Sequence, residues 1–139
     1  KNERGRALIC AHRWLMDNLH EMLIVIRSDS YIRSHRHHHK IESFHLVDGS
    51  VDLFIFNEDV GTSDVVELSL NGNFYYRFDT PRYHTLLVHS PMLVIHETTD
   101  GPFDLKKSDF ASFSPEEGDS IVSDYIDRLK LQVQTWKKE

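Results

Sequence analysis

The chain has 139 residues, 40% of them hydrophobic and 27% charged, a composition that fits one folded core and excludes both a disordered chain and two full-sized domains. A formal charge of -6 argues against a nucleic-acid surface, and a single cysteine, Cys10, excludes an internal disulfide framework or a thiolate zinc cluster, so any metal must be held by His and carboxylate groups. No apolar run approaches the roughly 18 residues of a membrane span, and Lys1-Asn2-Glu3-Arg4 leads into no signal-like segment, so the expectation is a cytoplasmic protein with neither membrane nor nucleic acid as partner.

In chain order, His12 to Met22 is ambiguous between helix and strand and reads best as a helix or loop. From Glu21 to about Thr98, short β-branched runs alternate with turn residues, the pattern of an all-β sandwich or barrel. Met22–Ile26 is one such run, and Ser43 to Phe56 reads as two strands around Asp48-Gly49. Asn71-Gly72 predicts a second hairpin between Val65–Leu68 and Phe74–Phe78, and Ser90-Pro91 a third between Thr85–Val88 and Met92–Ile95. Beyond the strands, Ser114-Pro115-Glu116-Glu117 combines an N-cap, a proline at the first helical position and a capping-box glutamate, which predicts a helix over about 115–137. Ile121, Tyr125, Leu129 and Val133, with Trp136 near the end, supply an apolar stripe to pack on the β body. No repeat or low-complexity linker divides the chain, so 1–139 is expected to be one domain.

The chemistry concentrates in Ser34 to Gly49, which holds five of the ten histidines: His35, His37, His38, His39 and His45. Residues two apart on a strand share a face, so His35 and His37 can aim at one point while Arg36 aims away. Glu42 lies five residues past His37, the wrong parity for an unbroken strand, and the chain must turn or bulge at His38-His39-Lys40 to bring it back. By the same parity His45 should face outward.

His35-Arg36-His37, four residues, Glu42, six residues and Gly49 is the spacing of the first metal-binding motif of the cupin superfamily, and His84 in Pro81-Arg82-Tyr83-His84 matches the lone histidine of its second. The flanks, Ser30 to His37, Glu97 to Pro102, Asp109-Phe110-Ala111 and Ser114-Pro115-Glu116, resemble the WbuC-type cupin-fold metalloproteins associated with bacterial surface-polysaccharide gene clusters. Asp29, Asp79, Pro81 and Val88 depart from the motifs at turn-forming or flanking positions and leave the ligand set intact. The resemblance, over roughly Arg6 to Glu117, implies an all-β cupin (double-stranded β-helix, jelly-roll) barrel over about 21–98 with a C-terminal helix. It further implies one divalent metal ion per chain, iron, zinc, manganese or nickel, held by His35, His37, Glu42 and His84.

Catalytic candidates are Glu97, Tyr83 and His96. The sequence leaves Glu97 as an acid/base of the cavity, a partner to a ligand histidine, or a solvent-facing residue. His96 fits either the cavity or the outer face, and His89 fits the outer face better. Arg33 fits a surface ion pair better than an anion-binding role. Three functions suit such a site: an isomerase- or epimerase-type enzyme acting on a sugar or nucleotide-sugar intermediate of surface-polysaccharide synthesis, a module that binds a sugar-derived small molecule without turning it over, or an iron-dependent dioxygenase. A homodimer is also expected, because Phe54 and Phe56 fall on the face opposite Val51, Leu53 and Ile55 and need cover, unless the C-terminal helix supplies it.

Overall fold

The protein is described from a computed structural model over residues 4–58 and 61–137. Numbered in chain order, one five-stranded sheet contains β1 (Arg6–Cys10), β2 (Leu19–Arg27), β9 (Met92–Asp100), β4 (Glu42–Asp48) and β7 (Tyr75–Phe78), in that spatial order. The other contains β10 (Ser108–Phe110), β3 (His35–His37), β8 (Tyr83–Val88), β5 (Ser50–Phe56) and β6 (Thr62–Ser69). Neighbouring strands run antiparallel. Inward residues of both sheets, among them Ile26, Phe44, Leu53, Ile55, Leu93 and Ile95, form the buried core. The strands overrun the expected barrel at both ends. β1 pairs with β2, and β10 pairs with β3, three residues apiece, through Ser108↔His37 and Phe110↔His35.

All three expected hairpins are instead crossovers between sheets. Asp48-Gly49 joins β4 of the first sheet to β5 of the second, Asn71-Gly72 joins β6 to β7, and Ser90-Pro91 joins β8 to β9. Turn chemistry is local and correct, whereas the partner of each strand is set by which edge its apolar face can cover. The Gly49 turn is required by packing as well as by its φ of +92°: a Cβ there would lie 2.5 Å from Ser90 Oγ and 2.6 Å from the Met92 carbonyl.

Residues 11–18 form a loop and β2 starts at Leu19, so the ambiguous N-terminal segment is loop followed by strand. The helix starts later than its sequence signal. It is α1, Val122–Trp136, with Ile121 at the cap position and no side-chain cap. Ser114 Oγ donates to the Ala111 carbonyl, and Gly118 at φ +90° turns the chain before the helix can begin. Tyr125, Leu129 and Val133 are buried as the stripe predicts, but Ile121 is 50% exposed. These side chains cover Phe54, Phe56 and Leu87 on the outer face of the second sheet. The two aromatics that motivated a dimer are therefore covered within one chain. Among the described residues no helix is long and apolar enough to cross a membrane.

Candidate functional site

The residues with the strongest sequence signal converge. In the second sheet, β3 carries His35 and His37, and His35 lies directly across from His84 of β8. Ring centroids are 4.6 Å apart for His35 and His84, 5.1 Å for His35 and His37, and 6.5 Å for His37 and His84. The facing sheet supplies the carboxylates: Glu42 begins β4, and Glu97 of β9 stands across from Phe44. The expected parity repair is a turn at His38-His39, with His39 in the left-handed region at φ 58°.

Each imidazole is tethered at Nδ1. His35 Nδ1 is 2.9 Å from the Arg33 carbonyl, His84 Nδ1 is 3.0 Å from the Arg82 carbonyl, and His37 Nδ1 is 2.7 Å from Ser108 Oγ. A carbonyl can only accept, so Nδ1 carries the proton in His35 and His84, and their Nε2 atoms hold lone pairs. His84 Nε2 is buried with no hydrogen-bond partner. It stands 3.6 Å from Glu42 Oε2, and His37 Nε2 stands 3.8 Å from Glu42 Oε1. Two donors on one octahedral ion with bonds of about 2.1 Å are separated by ~3.0 to ~4.2 Å. The donor types, the spacings and the orphaned Nε2 thus fit a divalent ion. Nonetheless, no group of three or more His, Cys, Asp or Glu among the described residues stands as a ready-made metal site, so the donors would have to draw in around an ion.

Burial governs the electrostatics. Desolvation, with a further push from His84, lowers His35 to about 3, and desolvation lowers His37 and His84 to about 4, so all three are neutral at neutral pH. The same cause acts with opposite sign on the acids. Burial, reinforced by neighbouring Glu97, raises Glu42 well above the ordinary carboxyl range, and burial raises Glu97 to about 7. The two carboxyls are neighbours in the same buried space, so each resists ionising beside the other's charge.

These groups line a cavity of about 850 Å³ with apolar walls that include Ile24, Ile32 and Phe44 and a rim that carries Arg4, Arg6 and Arg33. A side chamber of about 330 Å³ meets it at His37 and Glu97 and contains His20, whose Nε2 is also buried without a partner. Of the three catalytic candidates only Glu97 faces the cavity. Tyr83 packs against Phe113 on the helix side of its sheet and lies under the Arg36 guanidinium at 4.4 Å, because its neighbour His84 takes the inward direction. His96 is on the outer face near Glu21, at 3.6 Å, because Glu97 points in. His45 is exposed, as parity predicts, and His38 pairs with Asp109 at 2.5 Å outside the cavity. His89 is not a free surface residue: its Nε2 is 2.7 Å from the fully buried Asp52. Sequence reasoning missed Ser108 and the cavity-lining β1. The Asp109-Phe110-Ala111 motif marked the right segment without showing that it is a strand beside β3.

Residues 1–68, just under half the chain, match the family described as "Domain of unknown function (DUF6016)". No curated protein matches the sequence. Among solved structures, the chain is similar to a conserved protein with a double-stranded β-helix domain from Klebsiella pneumoniae, at 12% identity and TM-score 0.59 over 80% of this chain and 82% of that one. It is also similar to the capsular polysaccharide assembling protein CapF from Staphylococcus aureus, at 16% identity and TM-score 0.63, over 79% of this chain and 32% of that one. The chain thus spans about a third of CapF's length. A third likeness is to the cupin domain of Cnp3 from Schizosaccharomyces pombe, at 8% identity and TM-score 0.55, over 70% and 66%. The two facing antiparallel sheets and these likenesses establish the architecture: the chain has the cupin, or double-stranded β-helix, fold.

Proposed function

We propose that this cupin binds one divalent metal through His35, His37, Glu42 and His84 and acts on a small sugar-derived molecule, as a WbuC-type member of the superfamily. The observation that carries the reading is the buried, partnerless His84 Nε2, aimed into a gap it shares with Glu42 and His37. An unpaired acceptor in an apolar setting is costly, and an ion there would satisfy it. A bound divalent metal would supply Lewis acidity toward a carbonyl or hydroxyl oxygen.

This chain's own residues would do the rest. Tethers at Nδ1 hold the imidazoles in one orientation, and the apolar walls exclude bulk water. Glu97 would move the proton, a role supported by the burial that brings it to about 7, where both its forms are populated near neutrality. The likeness to a capsular polysaccharide assembling protein supports a sugar-related ligand.

Elemental analysis of the purified protein, followed by titration of the metal-stripped chain with zinc, manganese, nickel and iron(II), tests the site. One ion per chain is expected, lost in His84→Ala and retained in a His38→Ala/His39→Ala double variant. Retention by the first together with loss in the second would falsify the site.

A further inference from the structure

The cavity rim carries a feature that the metal reading does not use. Arg33 lines the cavity two residues before His35, its side chain is 21% exposed, and its Nε is buried with no hydrogen-bond partner. Its guanidinium lies 5.0 Å from the centre of the Phe110 ring, which supports the planar group from one side. The acid facing it is a poor match. Glu116 reaches Arg33 Nη1 at 3.4 Å, and the Glu116 side chain is 80% exposed. One long contact from a solvated carboxylate leaves most of the guanidinium fork unused, whereas a tetrahedral or planar oxyanion can accept from two of its N–H groups at once. Arg6 stands beside it on the rim and is held at 2.6 Å by Glu117.

Both glutamates ride on one segment between β10 and α1. It leaves the barrel at Ala111, is fixed at Pro115 by the Tyr31 hydroxyl, which donates to the Pro115 carbonyl at 3.0 Å, and turns at Gly118, where a Cβ would meet nothing within 4 Å. The Glu116 side chain, itself 80% exposed, can leave the rim while Tyr31 keeps the segment in place.

We propose that Arg33 is the seat of an anionic group of the ligand, a phosphate or carboxylate oxyanion, and that Glu116 occupies it until the ligand arrives. The ligand is then a molecule with an anionic end at the rim and a neutral hydroxyl- or carbonyl-bearing end at the histidines, and a volume of about 850 Å³ accommodates both. This deepens the proposed function by naming the ligand's charge, and it rests on that reading only in treating the cavity as the ligand site.

Isothermal titration of the full chain in EDTA, with inorganic phosphate in one series and acetate in another, tests the seat without the metal. Removal of the competing carboxylate in Glu116→Gln should tighten binding of the preferred anion by about two- to fivefold, and loss of the fork in Arg33→Gln should weaken it by at least about tenfold. Arg36→Gln, whose guanidinium lies over Tyr83 outside the cavity, should leave it unchanged. Whichever anion responds in this way identifies the ligand's charged group. Unchanged or weaker binding by Glu116→Gln overturns the proposal, as does wild-type affinity in a folded Arg33→Gln variant or no binding of either anion by wild type and Glu116→Gln alike. Should Arg33→Gln fail to fold, Glu116→Gln still decides, because its carboxylate is mostly in solvent. Failure of metal uptake alone would remove the metal site and leave the anion seat standing.

Discussion

His84 offers the sharpest quantitative test of the site's electrostatics. Its side chain is buried against Phe44 and Phe78, and desolvation holds its pKa at about 4, below the ordinary 6.5. The folded value lies below the unfolded one. Between pH 6.5 and 4 the unfolded chain therefore binds more protons, and this group's contribution to stability falls as pH falls. At pH 5 the unfolded imidazole is largely protonated while the folded one is still neutral, and linkage puts the resulting destabilisation at about 2 kcal/mol, against nearly nothing at pH 7. His35 and His37 act in the same sense. The raised acids act oppositely: Glu42 and Glu97 take up their protons earlier in the fold than in the unfolded chain, so their contribution grows as pH falls. The wild-type curve is a sum of opposed slopes, and a difference measurement isolates one. In His84→Asn the amide can still donate to the Arg82 carbonyl, as Nδ1 does at 3.0 Å, while the titrating group is gone. Urea denaturation in EDTA at pH 7 and pH 5 should show the variant gaining about 2 kcal/mol on the wild type over that interval. Parallel stability curves for the two proteins would refute the claim that buried neutral imidazole is what the fold contains.

Two further outcomes follow from the packing. Phe54 is fully buried beneath Tyr125, Leu129 and Val133, so Phe54→Ala should cost about 3–5 kcal/mol in chemical denaturation, and an exposed aromatic awaiting a second subunit would lose far less. Ser108→Ala removes the hydroxyl 2.7 Å from His37 Nδ1 and, with the proposed metal in place, should weaken zinc affinity by about 10–100-fold in a chelator competition while leaving the thermal midpoint of the metal-free chain nearly unchanged.

What the sequence disclosed and what it withheld divide along the range of the forces involved. The donor set was legible because strand parity and the spacing from His35 to Gly49 are local constraints. Parity could also have removed two of the three catalytic candidates: Tyr83 adjoins the inward His84, and His96 adjoins Glu97, so neither pair can point the same way on a strand. The helix start was misread because local capping competes with distant contacts. Tyr31 holds the Pro115 carbonyl, Arg33 reaches Glu116 and Arg6 grips Glu117, and these draw Ser114-Pro115-Glu116 across the rim before α1 can begin. Turn residues at Asp48-Gly49, Asn71-Gly72 and Ser90-Pro91 marked three reversals but said nothing of sheet membership, since the same dipeptide serves a hairpin and a crossover, and the reversals from β1 to β2 and from β5 to β6 carried no such mark.

The arrangement across the barrel carries a final argument about why these groups coexist. Imidazoles project from one sheet and carboxylates from the other, and the space between them is too dry to ionise either set freely. Without a cation the cheapest state keeps the histidines neutral and stops Glu42 and Glu97 from ionising together, which leaves His84 Nε2 with an unused lone pair. That state is poor packing for a core, because a Leu or Phe at position 84 would avoid the penalty altogether. Neutral imidazole with Nε2 free is nevertheless the form in which histidine ligates metals, and a nearby cation is what would hold Glu42 as an anion. The proposed ion would thus take up the unused lone pair and hold Glu42 ionised, displacing its proton and leaving Glu97 for proton transfer. Zinc binding to the metal-free protein should therefore release protons into a weakly buffered solution near pH 7, with fewer released by Glu42→Gln. Binding without proton release in the wild type would show that the carboxyl pair holds no proton for the ion to displace.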